Sequence, residues 1–246
     1  MKLEPQRAIC PICVDNGTEV LRYLLSPHVP AFARELAIPR TLGELGAAAP
    51  SLASGPSTAA ITFDDGPHPQ GTRQMLEILS SHGQRAIFFL VGERVERYPD
   101  LAKRIVEEGH GIGLHGQLHR PHPVRSAVAL KDDFERGLAT IVAATGVLPQ
   151  LHRPPFGVYS SQSLRIAREL GLQPLMWSRW GKDWRRLTTP ERIAGRVVEN
   201  LEAGDVVLLH DCDSYSAKRS HLRTAAALPE ILTVLKSAEL DTVAFT

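Results

Sequence analysis

From about residue 58 to its end, the chain alternates between two hydrophobic rhythms. Short β-type runs fall at 59–64, 85–91, 110–115, 150–153, 173–178, 205–210 and 241–245. Between most of them lie amphipathic stretches of helical period: Leu101 to Val106, Phe134 to Val142, Leu164 to Leu170, Ile193 to Leu201 and Ala225 to Leu235. Gly83, Gly109, Gly146, Gly171 and Gly204 stand where helix C-caps are expected, and Thr189-Pro190 reads as an N-cap followed by the first helical residue. Repeated strand–helix units predict an α/β fold with a parallel sheet, either doubly wound or an incomplete barrel of seven or eight units. Periodicity does not choose between them, but the polar residues do. Asp64, Asp65, His115, Arg153 and His210 all end predicted strands. A barrel gathers its active site at that end, whereas an open sheet crowds residues only at a switch point, so convergence from four strands favours the distorted, incomplete barrel.

The first 57 residues read as an N-terminal extension and linker ahead of a domain at 58–246. Thr18 to Ala37 carries a helical pattern (Val20, Leu21, Leu24, Leu25) broken by Pro27 and Pro30, and residues 46–58 are rich in Gly, Ala, Ser and Pro. Cys10 and Cys13 form a C-x-x-C, but a zinc ribbon needs a second pair and only Cys212 remains, so they read as two thiols in a loose segment. No signal peptide is visible, so the chain as it stands reads as cytoplasmic, or as secreted if a leader has been trimmed. No apolar stretch approaches the ~20 residues that span a bilayer.

Composition removes other classes. A formal net charge of +1 and a pI near 7.8 give no field that would draw nucleic acid or an acidic membrane, and 6% aromatics supply no stacking platform for single strands. The expected partner is a small or polymeric substrate, and no protein partner is inferable.

The chemistry begins with Asp64 and Asp65, two adjacent carboxylates whose repulsion requires a metal, a cation or a shared proton. His115 and His119 are four apart and can face one ion. In a zincin a Glu follows the first His, and here that place is Gly116, so any base must come from elsewhere. Two histidines and one carboxylate form a typical ligand set for catalytic zinc, which leaves the second carboxylate as a base. Arg153, ahead of Pro154 and Pro155, is the candidate cation, on a stiff loop suited to presenting a backbone N–H.

With these residues in place, the chain resembles the NodB-type polysaccharide deacetylases, carbohydrate esterase family 4, over roughly 58–246. Five ordered motifs carry the resemblance: Thr62-Phe63-Asp64-Asp65-Gly66; His115-Gly116-Gln117-Leu118-His119, for H-[ST]-x-x-H; Arg153-Pro154-Pro155-Phe156, for R-x-P-[YF]; Asp183-Trp184, the end of D-x-x-D-W; and Leu208-Leu209-His210. The resemblance implies a metal-dependent deacetylase with Asp64 as base, Asp65, His115 and His119 as metal ligands, and Arg153 orienting Asp64. It also implies that the Phe156 N–H takes the oxyanion, Trp184 and Leu208 wall the acetyl methyl, and His210, tuned by Asp183, is the acid. Zinc is the expected ion, with cobalt or nickel fitting the same ligands. The expected substrate is an acetylated carbohydrate such as a chitooligosaccharide or a peptidoglycan-like polymer. The alternatives are an O-acetyl ester of the acetylxylan type, a small amide, or a non-catalytic sugar-binding barrel.

Two positions depart from the pattern. Gly116 lacks the hydroxyl that would brace the histidine loop. Trp180 stands where the fourth motif has its first Asp, and could stack on a sugar or cap the core. Of the remaining polar residues, His68 is the one expected nearest substrate, Asp211 braces its loop, Tyr215, Lys218 and Arg219 form a solvated loop, and Glu93, Arg94, Glu96 and Arg97 form a charged helix face.

Overall fold

The structure, a computed structural model, describes residues 38–48 and 55–245. Cys10, Cys13 and the helical pattern of residues 18–37 lie outside the described residues. The strands are β1 (Thr58–Asp64), β2 (Ile87–Leu90), β3 (Gly111–Leu114), β4 (Leu151–His152), β5 (Gln173–Pro174), β6 (Arg179–Trp180), β7 (Val206–His210) and β8 (Asp241–Thr242). The helices are α1 (Leu42–Ala48), α2 (Gly71–Ser81), α3 (Gly92–Arg97), α4 (Pro99–Glu107), α5 (Ala127–Thr145), α6 (Ser161–Glu169), α7 (Pro190–Val198) and α8 (Ser220–Ser237). The sheet is parallel throughout, in the order β5-β4-β3-β2-β1-β7-β6, with β8 also on β1. It curls into an incomplete barrel, the shape that the strand-end polar residues favour.

Strand periodicity divides the core into two layers. In β1 and β2, Ala59, Ile61, Phe63, Phe88 and Leu90 face outward, against helices such as α2, α4, α5 and α8. Ala60, Ile87, Phe89, Val206 and Leu208 face inward, with Tyr159, Leu175 and Trp177. The barrel interior is a packed core, and its polar cap is the site.

Two expectations change. The strand expected at 173–178 stops at Pro174, because the chain there crosses the barrel's gap. Leu175 N donates to His152 O on β4 (3.0 Å), Met176 N to Pro39 O (2.8 Å) and Ser178 N to Val206 O on β7 (3.0 Å). β6 follows, too short to leave a period in the sequence. The second change concerns residues 38–48, read as part of an extension. Ile38, Leu42 and Leu45 are buried in the interior core, and Leu42 N donates to Gly204 O at 2.8 Å. The packed body therefore begins no later than Ile38, and residue 58 marks only the start of β1. Among the described residues, no helix is long and apolar enough to cross a membrane.

Candidate active site

Asp64 ends β1 on the same inward face as Ala60 and Thr62. An ordinary strand would turn the next residue outward, but Asp65 has φ 81°, in the left-handed region. That turn breaks the alternation and brings both carboxylates to one side. Behind it, Asp211 accepts from the Thr72 hydroxyl and packs so close to Gly66 that an added Cβ would collide with it. Asp211 is thus the brace expected of it; burial raises its pKa to about 7.

The two aspartates have different surroundings. Asp64 Oδ1 accepts from Arg153 Nη1 at 2.8 Å. Arg153 is fully buried, and its other donors reach Thr62 Oγ1 (2.7 Å), Leu175 O (2.9 Å) and Met176 O (2.7 Å). Its guanidinium lies 4.0 Å over the Phe89 ring, so the cation is fixed on every side. Asp65 Oδ1 lies instead 3.4 Å from His115 Nε2 and 3.1 Å from His119 Nε2. It is buried with no directed hydrogen bond. Burial works to raise the Asp65 pKa, but the His119 charge, with the adjacent His115 and His210, holds it well below 3.8.

This orphaned oxygen between two ring nitrogens fits a divalent cation. His115 Nδ1 donates to Arg153 O at 2.8 Å, so in the neutral ring Nε2 carries the lone pair, the arrangement usual for a metal-bound histidine. The donor set of one carboxylate and two imidazoles suits zinc and its neighbours.

The histidine loop is braced from two sides. Gly92 N and Glu93 N at the start of α3 donate to Gly116 O and Gln117 O, both at 2.9 Å. From α5, the buried Asp133 accepts from Gln117 N (2.8 Å) and Leu118 N (3.3 Å), and pairs with Arg125 at 2.8 Å. Gly116 has φ 86°, and a Cβ there would lie 2.9 Å from Asp133 Oδ2. The missing hydroxyl is therefore replaced by a carboxylate from a neighbouring helix, and glycine is required by both conformation and space.

On the opposite wall, His210 Nδ1 donates to Asp183 Oδ1 at 2.9 Å. Asp183 Oδ2 also takes the His210 N–H (2.7 Å) and the Thr224 hydroxyl (2.8 Å). Burial works to lower the His210 pKa, but Asp183, with Asp65 and Asp64, raises it to about 10 in the metal-free protein. Its Nε2 proton is free to be given away.

A cavity of about 180 Å³ joins these groups, lined by Asp64, Asp65, His115, His119, Phe156, Gly157, Trp177, Trp180, Trp184, Leu208, His210, Tyr215 and Ser216. Every expected site residue except the fully buried Arg153 and Asp183 lines it, and those two hold Asp64 and His210. Phe156 has φ 61°, strain that a bulky residue keeps only where its surroundings enforce it. Trp184 packs edge-on against His210 at 5.4 Å.

Tyr215, expected in a solvated loop, lines the cavity instead. Its ring stacks on His119 at 4.0 Å and its hydroxyl donates to Glu93. No local pattern marks it, since its role arises from the fold. The charged face on α3 is likewise corrected: Arg94 is buried and donates to Pro67 O (3.2 Å), while Glu96 accepts from Gln117 Nε2 (2.8 Å). His68 does not line the cavity. With Asp213 and His221 it forms a second His-Asp-His cluster, but its Nδ1 accepts the Gly71 N–H at 2.9 Å. That puts its proton on Nε2, facing Asp213, so the ring offers no lone pair to an ion.

Residues 52–175 match the sequence profile of the polysaccharide deacetylase family. A peptidoglycan-N-acetylglucosamine deacetylase of Bacillus cereus is 39% identical over 72% of this chain and 81% of its own length. A chitooligosaccharide deacetylase of Azorhizobium caulinodans is 29% identical over 74% of this chain and 89% of its own. Among solved structures, the Bc1960 peptidoglycan N-acetylglucosamine deacetylase superposes with a TM-score of 0.72 at 28% identity, covering 77% of this chain and 86% of that one.

Proposed function

The chain belongs to the polysaccharide deacetylase family and is a carbohydrate deacetylase, and on that premise we propose that it hydrolyses the N-acetyl group of an N-acetylglucosamine unit in a glycan. The observation that carries this reading is the unequal pair: Asp64 beside a buried arginine, and Asp65 between two imidazoles, in one cavity with His210.

Asp65, His115 and His119 would hold the metal, with zinc the ion the donor set fits first. When bound, the ion supplies Lewis-acid polarisation and acidifies water. Asp64 takes the proton of the attacking water at its free Oδ2, while Arg153 fixes Oδ1 and supplies the buried counter-charge. The water oxygen bonds to the acetyl carbon, and the Phe156 N–H steadies the oxyanion. As the C–N bond breaks, His210 gives its Nε2 proton to the departing nitrogen, leaving acetate and an amine. Asp183 keeps that imidazole protonated and oriented. Trp184 and Leu208 enclose the methyl, a size filter against longer acyl groups.

The test is acetate release from N-acetylglucosamine oligomers, with acetylxylan and small acetamides in the same panel. Asp64→Asn and His210→Ala should each lower turnover by roughly 10²–10⁴-fold. Either variant matching wild type on an active substrate refutes the assigned roles. Glycan binding without turnover, whatever the metal, refutes the catalytic reading.

A further inference from the structure

A cation that deacetylation does not use, Lys182, sits over one of the aromatic residues that line the cavity. Trp180 lies opposite Leu208 in the β6–β7 pairing, and both line the cavity. A Cβ on Gly181 would meet Ile193 and Leu209 of the outer layer, at 2.7 and 2.8 Å, so residue 181 faces the helices and Trp180 the cavity. Lys182 follows with φ 53°, a left-handed conformation that lysine rarely adopts, and its Nζ lies 4.7 Å from the centre of the Trp180 ring. Trp180 is flanked by Trp177 and Trp184 at 5.8 and 5.5 Å, giving a row of indoles beside His210.

Lys182 forms no ion pair with any carboxylate among the described residues. Its charged neighbours are Arg185 and Arg196; partial burial and these like charges lower its pKa. Arg223, which donates to Arg185 O at 3.0 Å, adds a further cation on that side. The family pattern has an acid at position 180. This chain has an indole with an ammonium on its face, so the local charge is reversed.

Resting on the deacetylase reading, we propose that Trp180 and Lys182 form a subsite for an anionic substituent, a carboxylate or a phosphate, on the acetylated sugar or its neighbour. The indole offers an apolar face to the sugar ring, and the ammonium a charge that no carboxylate among the described residues neutralises. A neutral glycan would use only the indole.

The test compares three acetylated oligomers of equal length (neutral, carboxylated and phosphorylated) in wild type, Lys182→Ala and Lys182→Glu. The wild type should prefer one or both anionic oligomers in kcat/KM, with the gain in KM and lost at high salt. The preference should fall about fivefold in Lys182→Ala, the scale of one exposed ion pair, and invert in Lys182→Glu. Comparing carboxylate with phosphate identifies the source. A preference unchanged by either variant, or no preference in wild type, overturns the proposal. Should no glycan release acetate, the deacetylase reading falls separately. Calorimetric titration of the anionic oligomers then decides the subsite, and equal Kd for wild type and Lys182→Glu overturns it.

Discussion

Replacing Asp133 with alanine should weaken metal binding without touching a ligand. Asp133 takes the Gln117 and Leu118 N–H groups and pairs with Arg125, and the two loop bonds lie between His115 and His119. Alanine strands both N–H groups and leaves a half-buried guanidinium unpaired. A stranded buried donor costs about 1–3 kcal/mol, and Gln117 N is the more buried of the two. The loop can recover part of this by shifting toward water, which moves His119 off the 3.1 Å approach to Asp65. Loss of such an outer partner typically lowers metal affinity 10- to 100-fold, about 1.4–2.7 kcal/mol. Asp133→Asn keeps one acceptor and should fall between. The assay is competition for zinc against a chromophoric chelator, with thermal unfolding of the metal-free protein alongside. If Asp133→Ala lowers the melting temperature while zinc Kd stays within about twofold of wild type, the brace serves only stability. Gly116→Ser should not rescue the variant, because φ 86° remains strained for serine.

Three further outcomes follow from the same contacts. Asp65→Ala should abolish tight metal binding, whereas Asp64→Asn should keep the metal and lose turnover; equal metal loss in both, by elemental analysis, refutes the division of labour. Asp183→Asn should bring the His210 pKa in metal-free protein down from about 10 toward 6.5, read by NMR titration of the ring; an unmoved value means Asp183 is not the dominant partner. The metal-free protein should lose stability as pH falls below 6.5, because burial holds His110 to about 4 and His122 to about 3, and also lowers His68, His152 and His221. The unfolded chain then binds more protons, at about 1.4 kcal/mol per pH unit for each fully buried histidine that stays neutral, less for exposed ones. Asp211, raised to about 7, opposes this as a single group. His210 acts in a separate window: its stabilisation is complete below 6.5 and lost as pH rises through 10. A urea midpoint that does not fall between pH 6.5 and about 5 refutes the burial argument.

What the sequence made legible was what strand periodicity and motif spacing encode. β1, β2, β3 and β7 are continuous buried runs, and the residues that end them could be named as a site because strand ends converge in a barrel. The gap crossing at 175–178 looked like a strand because its residues are apolar, but its backbone partners, His152, Pro39 and Val206, come from three places in the chain. Residues 38–48 looked like an extension because Gly, Ala and Pro follow them, and nothing local says that Ile38, Leu42 and Leu45 fill the interior. Tyr215 and Asp133 were invisible for the same reason. Each acts on the histidine pair from a separate element, at a distance along the chain that no short motif spans.

The aspartate pair shows how a local irregularity becomes a chemical distinction. Adjacent strand residues point to opposite faces, so two neighbouring aspartates on an ordinary strand would share no environment and do no joint chemistry. One left-handed residue at Asp65 brings them to the same cavity, and that placement alone would raise the repulsion between them. The surroundings offset it asymmetrically: a guanidinium on Asp64, held by two backbone carbonyls and a threonine, and two imidazoles on Asp65. Arg153 keeps its charge whatever enters the cavity, whereas the imidazole nitrogens beside Asp65 are themselves donors that an ion would take. Asp64 would therefore be held the same way with or without a metal, whereas Asp65 would take a bound ion as its new partner. A base must be ready before the substrate and a ligand only when the ion is present, so the electrostatics support the proposed roles of Asp64 as base and Asp65 as ligand.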